Sequence, residues 1–489
     1  MTGVYIGSRT SDSRQREYLD LEYANRHGLI AGATGTGKTV TLQGLAEGFS
    51  NAGVPVFMAD VKGDLSGLCQ PSDMQDFLVQ RALDIGFSKE YKKQAFPVVF
   101  WDLFGKQGNP LRTTISEIGP LLLARILDLN DTQEGVLNIA FRVADEEGLL
   151  LLDLKDLQKL LVFMAENTSE LTSDYGNVSK ASIGAIQRRL LQLENEGGEK
   201  FFGETALELN DFLRTNEDGR GYINLLVADE LMQSPGLYAT FLLWLLSELF
   251  EELPEAGDLD KPKFVFFFDE AHLLFENAPK SLVQKIEQVV RLIRSKAVGI
   301  YFITQNPADI PDAILSQLGN RIQHALRSFT AKQRKMIKLA AQTYRENPDF
   351  KVEDAITDLG VGEALVSTLE KKGRPSIVQK TLIRPPSSKL GPADADFLRM
   401  YRASCPLAAK YSEMIDRRSA YEVLLERSEN RRKADEEIQT TSTKNRGAAS
   451  RSSARQTPVE AFLKSMARQL GSAVGKQLIR GILGALSRK

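Results

Sequence analysis

The chain has 489 residues, a formal net charge of −2, and 42% hydrophobic against 26% charged residues. This balance excludes a disordered, collagen-like or strongly basic polymer-coating protein. It allows a sizeable core in one large domain with an insertion, or in two to three domains. Cys69 and Cys405 stand far apart outside any CxxC pattern, so no disulfide framework or zinc site is expected. The opening MTGVYIGSRTSDS carries no apolar leader, and no apolar run approaches the ~20 residues of a membrane span; a cytoplasmic location is expected.

His27–Ala31 reads as a short apolar strand. A Gly-rich turn follows, then Lys38–Ser50 with helical spacing of Leu42, Leu45, Ala46 and Phe49. Val54–Asp60 is a second strand, and strand, helix, strand in this order favours a parallel sheet. Pro97–Asp102 reads as another strand. Arg112 to about Glu196 is mostly helical (Ile115–Leu129, Asp131–Asp145, Leu154–Glu166, Ala181–Asn195). The α/β rhythm returns with strand Tyr222–Val227, the all-round apolar helix Tyr238–Glu252, strand Lys263–Phe268, helix Lys280–Lys296, strand Gly299–Thr304 and a strand near Arg321–Leu326. The expected organisation is an α/β nucleotide-binding core in two parts, 1–64 and 221–383, split by a mainly α-helical insertion at 65–220. A peripheral helical region at 384–438 follows, with Tyr411–Ile438 as a charged helix. The Ser/Thr-rich stretch 439–456 reads as a disordered linker, and 457–489 as a basic amphipathic helix.

Gly32, Ala33, Thr34, Gly35, Thr36, Gly37, Lys38 and Thr39 fit GxxxxGK[ST] without a mismatch, after a strand and opening a helix, with Val40 next in the cradle. Glycines let backbone N–H groups wrap phosphates, and the helix N-terminus adds favourable partial charge. Lys38 suits the β/γ-phosphates of ATP, and the Thr39 hydroxyl suits Mg²⁺. Phe264–Phe268 ends in two carboxylates: Asp269 suits the metal, and Glu270 suits deprotonating an attacking water. Gln305, after the strand Gly299–Thr304, is a candidate γ-phosphate sensor; an ordinary turn before Asn306-Pro307 is the plain alternative. Arg294, Arg321 and Arg26 are candidates to act in trans on a neighbour's ATP, although sequence does not separate such an arginine from a surface one. Lys62 and Asp64 end the second strand at the edge where doubly wound sheets bind ligands, with a plain turn equally compatible. Residues 457–489 carry apolar positions four apart beside a basic excess, which suits an anionic membrane surface, DNA, a protein partner or packing within an oligomer.

GATGTGKT, ADVKGD, VFFFDEAH and ITQNP, in this order and spacing, resemble the HerA–FtsK superfamily of P-loop ATPases, in particular its bacterial HerA-like, YjgR-type helicase group. The resemblance covers roughly Gly3–Ile383, plus the basic C-terminal helix. It implies a RecA-like core with a mostly parallel sheet, a homo-oligomeric, hexameric ring with ATP and Mg²⁺ at subunit interfaces, and DNA as the polymer. It further implies Lys38 and Thr39 as Walker A residues, Asp269 and Glu270 as Walker B residues, Gln305 as the polar sensor and Arg294 as the interfacial arginine. The DEAH of Asp269–His272 also resembles superfamily-two RNA helicases, but the gap from Lys38 to Asp269 is far longer than they use, and no second RecA-like half follows.

Three functions are compatible with these residues. The first is an oligomeric ATP-hydrolysing DNA helicase or translocase. The second is an ATP-dependent regulatory or remodelling protein tethered to a membrane or partner through 457–489. The third, a metabolic kinase, is disfavoured by Glu270 beside Asp269.

Overall fold

The computed structural model describes residues 3–257, 259–276, 280–327 and 330–445. The apolar runs become strands: β1 (Gly3–Arg9), β2 (Arg16–Asp20), β3 (Gly28–Ala31), β4 (Val56–Asp60), β5 (Val98–Asp102), β6 (Asn109–Pro110), β7 (Ile223–Val227), β8 (Phe264–Phe268), β9 (Val298–Thr304), β10 (Asn320–His324) and β11 (Glu363–Ser367). After a separate ribbon of β12 (Leu369–Glu370) and β13 (Arg374–Pro375), β14 (Gln379–Ile383) returns to the main sheet. That sheet has twelve strands in the order β2-β1-β14-β11-β10-β3-β9-β8-β4-β7-β5-β6. The run from β10 to β6 is parallel, and β11, β14, β1 and β2 extend it antiparallel.

The central strands are buried on both faces because apolar residues fill both sets of alternating positions. Val56 and Met58 on β4, with Val265 and Phe267 on β8, point into one core beside Leu42, Leu45 and Phe49 of helix α1 (Lys38–Asn51). Phe57 and Ala59, with Phe264, Phe266 and Phe268, point into the other core. That second core is covered by a helical block. Its members are α3 (Ile115–Ile126), α4 (Asp131–Glu147), α5 (Leu154–Glu166), α6 (Thr168–Tyr175), α7 (Lys180–Leu193) and the short α8 (Glu199–Phe201) and α9 (Leu209–Phe212); α2 (Asp76–Asp84) precedes the block. Helix α10 (Pro235–Glu252) runs between block and sheet. Tyr238, Phe241, Leu242, Trp244, Leu245 and Leu249 on successive faces of it are all buried, as its all-round apolarity requires.

The range 65–220 is thus not one insertion. Its strands β5 and β6 belong to the main sheet through β7, and the helical block proper lies between β6 and β7. Helix α3 is kinked where Gly119 takes φ 69° before Pro120, so the periodic run Ile115–Leu129 is not one straight helix. After α11 (Lys280–Leu292), α12 (Asp312–Leu315), α13 (Ala331–Ala341) and α14 (Val352–Asp358), the chain passes β14. It then forms α15 (Ala395–Ala403) and α16 (Ala408–Tyr411). The charged helix α17 spans Ala420–Asn445, starting later than Tyr411 and passing Ile438. Residues 439–445, expected as linker, are therefore helical. The remainder of the linker and the basic segment 457–489 lie outside the described residues. The described residues up to Leu425 form one unit, and Glu426–Asn445 belong to a second. Among the described residues no helix is long and apolar enough to cross a membrane.

Helix α1 is tied down by a buried ion pair. The Glu47 carboxylate meets the Arg384 guanidinium and accepts from the backbone N–H groups of Ser387 (3.0 Å) and Ser388 (2.9 Å) and from the Ser388 hydroxyl (2.6 Å).

An acidic group on α10 gives a pH-dependent expectation. Burial pushes Glu248 up to about 7, helped by the charges of Glu252, Glu117 and Glu251. Its folded pKa lies above its unfolded value near 4.3, so the folded chain holds an extra proton between the two, and stability falls as pH rises through that window. Glu248→Gln is expected to stabilise the protein by about 1 kcal/mol at pH 8, allowing for solvent screening at a half-buried site, with no gain below about pH 4.5. Urea midpoints of the two proteins at pH 4.5 and 8 measure this, and an equal difference at both values would refute it.

Candidate nucleotide-binding site

Strand β3 ends at Ala31, and the chain reverses through Gly32–Gly37 into α1. Gly32 is required by space and Gly37 by its backbone. A Cβ on Gly32 would sit 2.5 Å from the Cβ of His324, and one on Gly37, at φ 112°, would sit 3.3 Å from the Cα of Gly362. The loop is pinned on both sides: Ala33 N–H donates to Ala325 O (2.8 Å), and Gly362 N–H donates to Thr36 O (3.0 Å). Beneath it the buried His324 Nε2 lies 2.8 Å from Thr41 Oγ1. Lys38 is folded back on its own loop, donating to Gly32 O (2.7 Å) and Ala33 O (3.1 Å). Val40, in the first turn of α1, is half-buried against the core.

Strand β8 delivers Asp269 and Glu270 to the same carboxyl edge. The strand order β3-β9-β8 places the tip of β9 between them and the loop. Gln305 at that tip spans the gap. Its Oε1 accepts from Thr34 Oγ1 at 3.3 Å, and its Nε2 stands 3.4 Å from both carboxylate oxygens of Glu270. Glu270 is buried at 6% exposure, and its backbone is left-handed (φ 47°, ψ 48°), an uncommon state for a residue with a side chain. Lys62, just past β4, donates to Glu270 Oε1 at 2.8 Å, and His272 Nδ1 lies 3.4 Å from Oε2. Asp64 lies in the same turn as Lys62; burial raises its carboxyl, and the Lys62 charge partly offsets this.

The electrostatics follow from crowding these groups in a half-dry cleft. Burial pushes Asp269 up to about 7, and the neighbouring Glu270 charge adds to this. Burial also raises Glu270, but the Lys62 hydrogen bond and charge outweigh it and hold the carboxyl below its usual range. Burial draws Lys38 down, opposed by Glu270 and Asp269. A phosphate-bound cation would relieve this strain: it would meet the Thr39 hydroxyl and a carboxyl that resists ionising without positive charge nearby. The donors present therefore fit Mg²⁺ carried in with a nucleotide.

The three arginines lie elsewhere. Arg294 is in the turn Ile293–Lys296 before β9, Arg26 is in the turn before β3, and Arg321 is on the first residues of β10. All are at the amino edge of the parallel strands, opposite Lys38. The charge of Arg294 acts on the buried His27, and Arg26 stacks over Tyr23 at 5.4 Å. Arg321 donates to Leu318 O (3.1 Å) and Leu315 O (3.0 Å), capping α12. Sequence reasoning passed over His324 and Tyr238. His324 is one of three histidines, at the tip of the strand beside β3, which is a signal that topology alone makes visible. Tyr238 is buried with its hydroxyl unpartnered, near enough for Asp269 and Glu270 to act on it.

A parallel sheet with the phosphate loop and the carboxylate-bearing strand separated by one polar-tipped strand defines a P-loop NTPase of RecA-like fold. The model of the helicase HerA-like C-terminal family matches residues 7–489, and the chain belongs to that family. No curated protein matches the sequence. Among solved structures, the chain is similar to the bacterial conjugative coupling protein TrwB, at 13% identity over 80% of this chain and 95% of that one (TM-score 0.53). TrwB in complex with ADP and Mg²⁺ aligns at 13% identity over 76% and 89% (TM-score 0.51). VirB4 of Thermoanaerobacter pseudethanolicus aligns at 16% identity over 81% and 98% (TM-score 0.50). At these identities the likeness is one of fold.

Proposed function

We propose that this protein binds ATP with Mg²⁺ between the Lys38 loop and Asp269, hydrolyses it with Glu270 as general base, and works as an oligomeric DNA translocase or helicase. The observation that carries this reading is the bridge from Thr34 through Gln305 to Glu270, which brings the phosphate loop, sensor and base to neighbouring strand tips.

In the proposed reaction Lys38 leaves the carbonyls of Gly32 and Ala33 and turns to the β/γ-phosphates. Thr39 and Asp269 hold Mg²⁺, which when bound neutralises the phosphate oxygens. Glu270 takes a proton from water as its oxygen attacks the γ-phosphorus. The bond from that phosphorus to the β–γ bridging oxygen breaks, and ADP and phosphate leave. The three candidate arginines Arg26, Arg294 and Arg321 stand at the far edge from Lys38, so in this reading one of them serves a neighbour's site instead of its own. Arg294, which leads into the sensor strand, is the residue proposed for that role in a hexameric ring, with Arg321 committed to α12. TrwB, the fold relative, has been solved with ADP and Mg²⁺ and with a non-hydrolysable ATP analogue, which supports the same ligands here.

The test is the ATPase rate with and without double-stranded DNA, single-stranded DNA and RNA, read beside the particle mass. Stimulation by DNA in a particle of several subunits is expected. A folded oligomer that no nucleic acid stimulates would remove the translocase reading and leave the ATP-dependent remodelling one.

A further inference from the structure

We infer that Lys62 is a positioning residue that holds Glu270 out of line for water activation and so keeps basal turnover low; this rests on the ATPase reading above. Strand β4 lies directly beside β8, with Val56 paired to Val265 and Met58 to Phe267, so the turn after β4 emerges next to the carboxylates. The Lys62 ammonium reaches Glu270 Oε1 at 2.8 Å, within the range a base needs for its water. The oxygen that would take the proton is thus already occupied.

The pair is asymmetric. The Glu270 side chain is 7% exposed and the Lys62 side chain 50%. The buried carboxylate has few alternative positions, whereas the lysine loses little by swinging into water. Of the side-chain partners of Glu270 the nearest is Lys62 at 2.8 Å, against 3.4 Å for Gln305 and for His272. The turn that carries Lys62 is itself stiff: Asp60 accepts from the N–H groups of Gly63 (2.8 Å), Asp64 (3.1 Å) and Leu65 (3.1 Å). One short, stiff turn therefore holds the base.

The experiment uses the full-length protein at saturating Mg²⁺–ATP without polymer. The variants are Lys62→Met, Lys62→Gln and Lys62→Arg, with Lys62→Met also made in a Glu270→Gln background, and thermal unfolding and nucleotide affinity are measured alongside. Lys62→Met and Lys62→Gln are expected to raise kcat about two- to fivefold with unchanged nucleotide affinity, the scale of losing one partly exposed ion pair. Lys62→Arg should stay at the wild-type rate, and the gain should vanish in the Glu270→Gln background. Turnover at or below wild type in folded Lys62→Met and Lys62→Gln, or a gain that survives Glu270→Gln, would overturn the inference. Wild-type protein that does not hydrolyse ATP would instead overturn the ATPase reading beneath it, and Glu270→Gln that hydrolyses it normally would overturn the assignment of Glu270 as the base.

Discussion

Glu270→Gln is expected to lower steady-state ATP hydrolysis by about 10²- to 10⁴-fold while nucleotide binding is kept, the range lost when a positioned general base is removed. The substitution keeps the shape of a side chain that is 6% exposed, so packing at the strand tip is preserved. An amide oxygen can still accept the Lys62 ammonium hydrogen bond, now at 2.8 Å to Oε1, and can still face Gln305. What disappears is basicity: the amide cannot take the proton from water. Binding depends on other groups, namely the backbone of Gly32–Gly37, Lys38 and Thr39, none of which needs Glu270 for its geometry. Phosphate release and equilibrium binding of a fluorescent ATP analogue, measured on the same preparation, separate the two effects. Normal turnover in this variant would show that another residue activates the water.

Glu47→Ala is expected to destabilise the protein by about 3–5 kcal/mol, the cost of leaving one partner of a buried ion pair uncompensated. The Glu47 side chain is 0% exposed and that of Arg384 9%. Removing the carboxylate strands the guanidinium, whose Nε is already without a partner. It also strands the N–H groups of Ser387 and Ser388 and the Ser388 hydroxyl. The loss is felt in α1, which carries Lys38 at its first turn, so nucleotide affinity should weaken together with stability. The urea midpoint is the readout, with Glu47→Ala/Arg384→Met as the control: removing both charges should restore part of the loss. A midpoint of Glu47→Ala at the wild-type value would show that the pair contributes nothing to folding.

The parts of the site legible in the sequence are those written in local spacing. Gly32–Thr39 and the run Phe264–Glu270 each carry their own strand, turn and chemistry, and the structure sets them two strands apart on one edge. The partnership of Lys62 with Glu270 joins residues 208 positions apart and becomes visible once β4 is known to lie beside β8. The antiparallel extension was hidden for a different reason. β1, GVYIGSR, and β14, QKTLI, are short and mix buried with half-exposed positions, so neither shows a clean alternation, and their pairing spans almost the whole unit. Strand β6 is two residues of Asn and Pro, held by its neighbour β5 instead of by propensity. The linker reading failed over 439–445 because helix α17, begun at Ala420, continues through a Ser/Thr-rich stretch whose composition alone argues against order. Glu204, Arg417 and their neighbours, which pack the C-terminal segment against the helical block, gave no sequence signal beyond their charge.

The most direct measurement is phosphate release from ATP by the wild-type chain and by Lys38→Ala, with Mg²⁺ and after chelation of Mg²⁺. Metal-dependent turnover that is lost with Lys38 is the predicted result. Turnover that survives both the loss of Lys38 and the removal of Mg²⁺ would contradict the account, because the reacting phosphate would then lie somewhere other than between the β3 loop and the tip of β8.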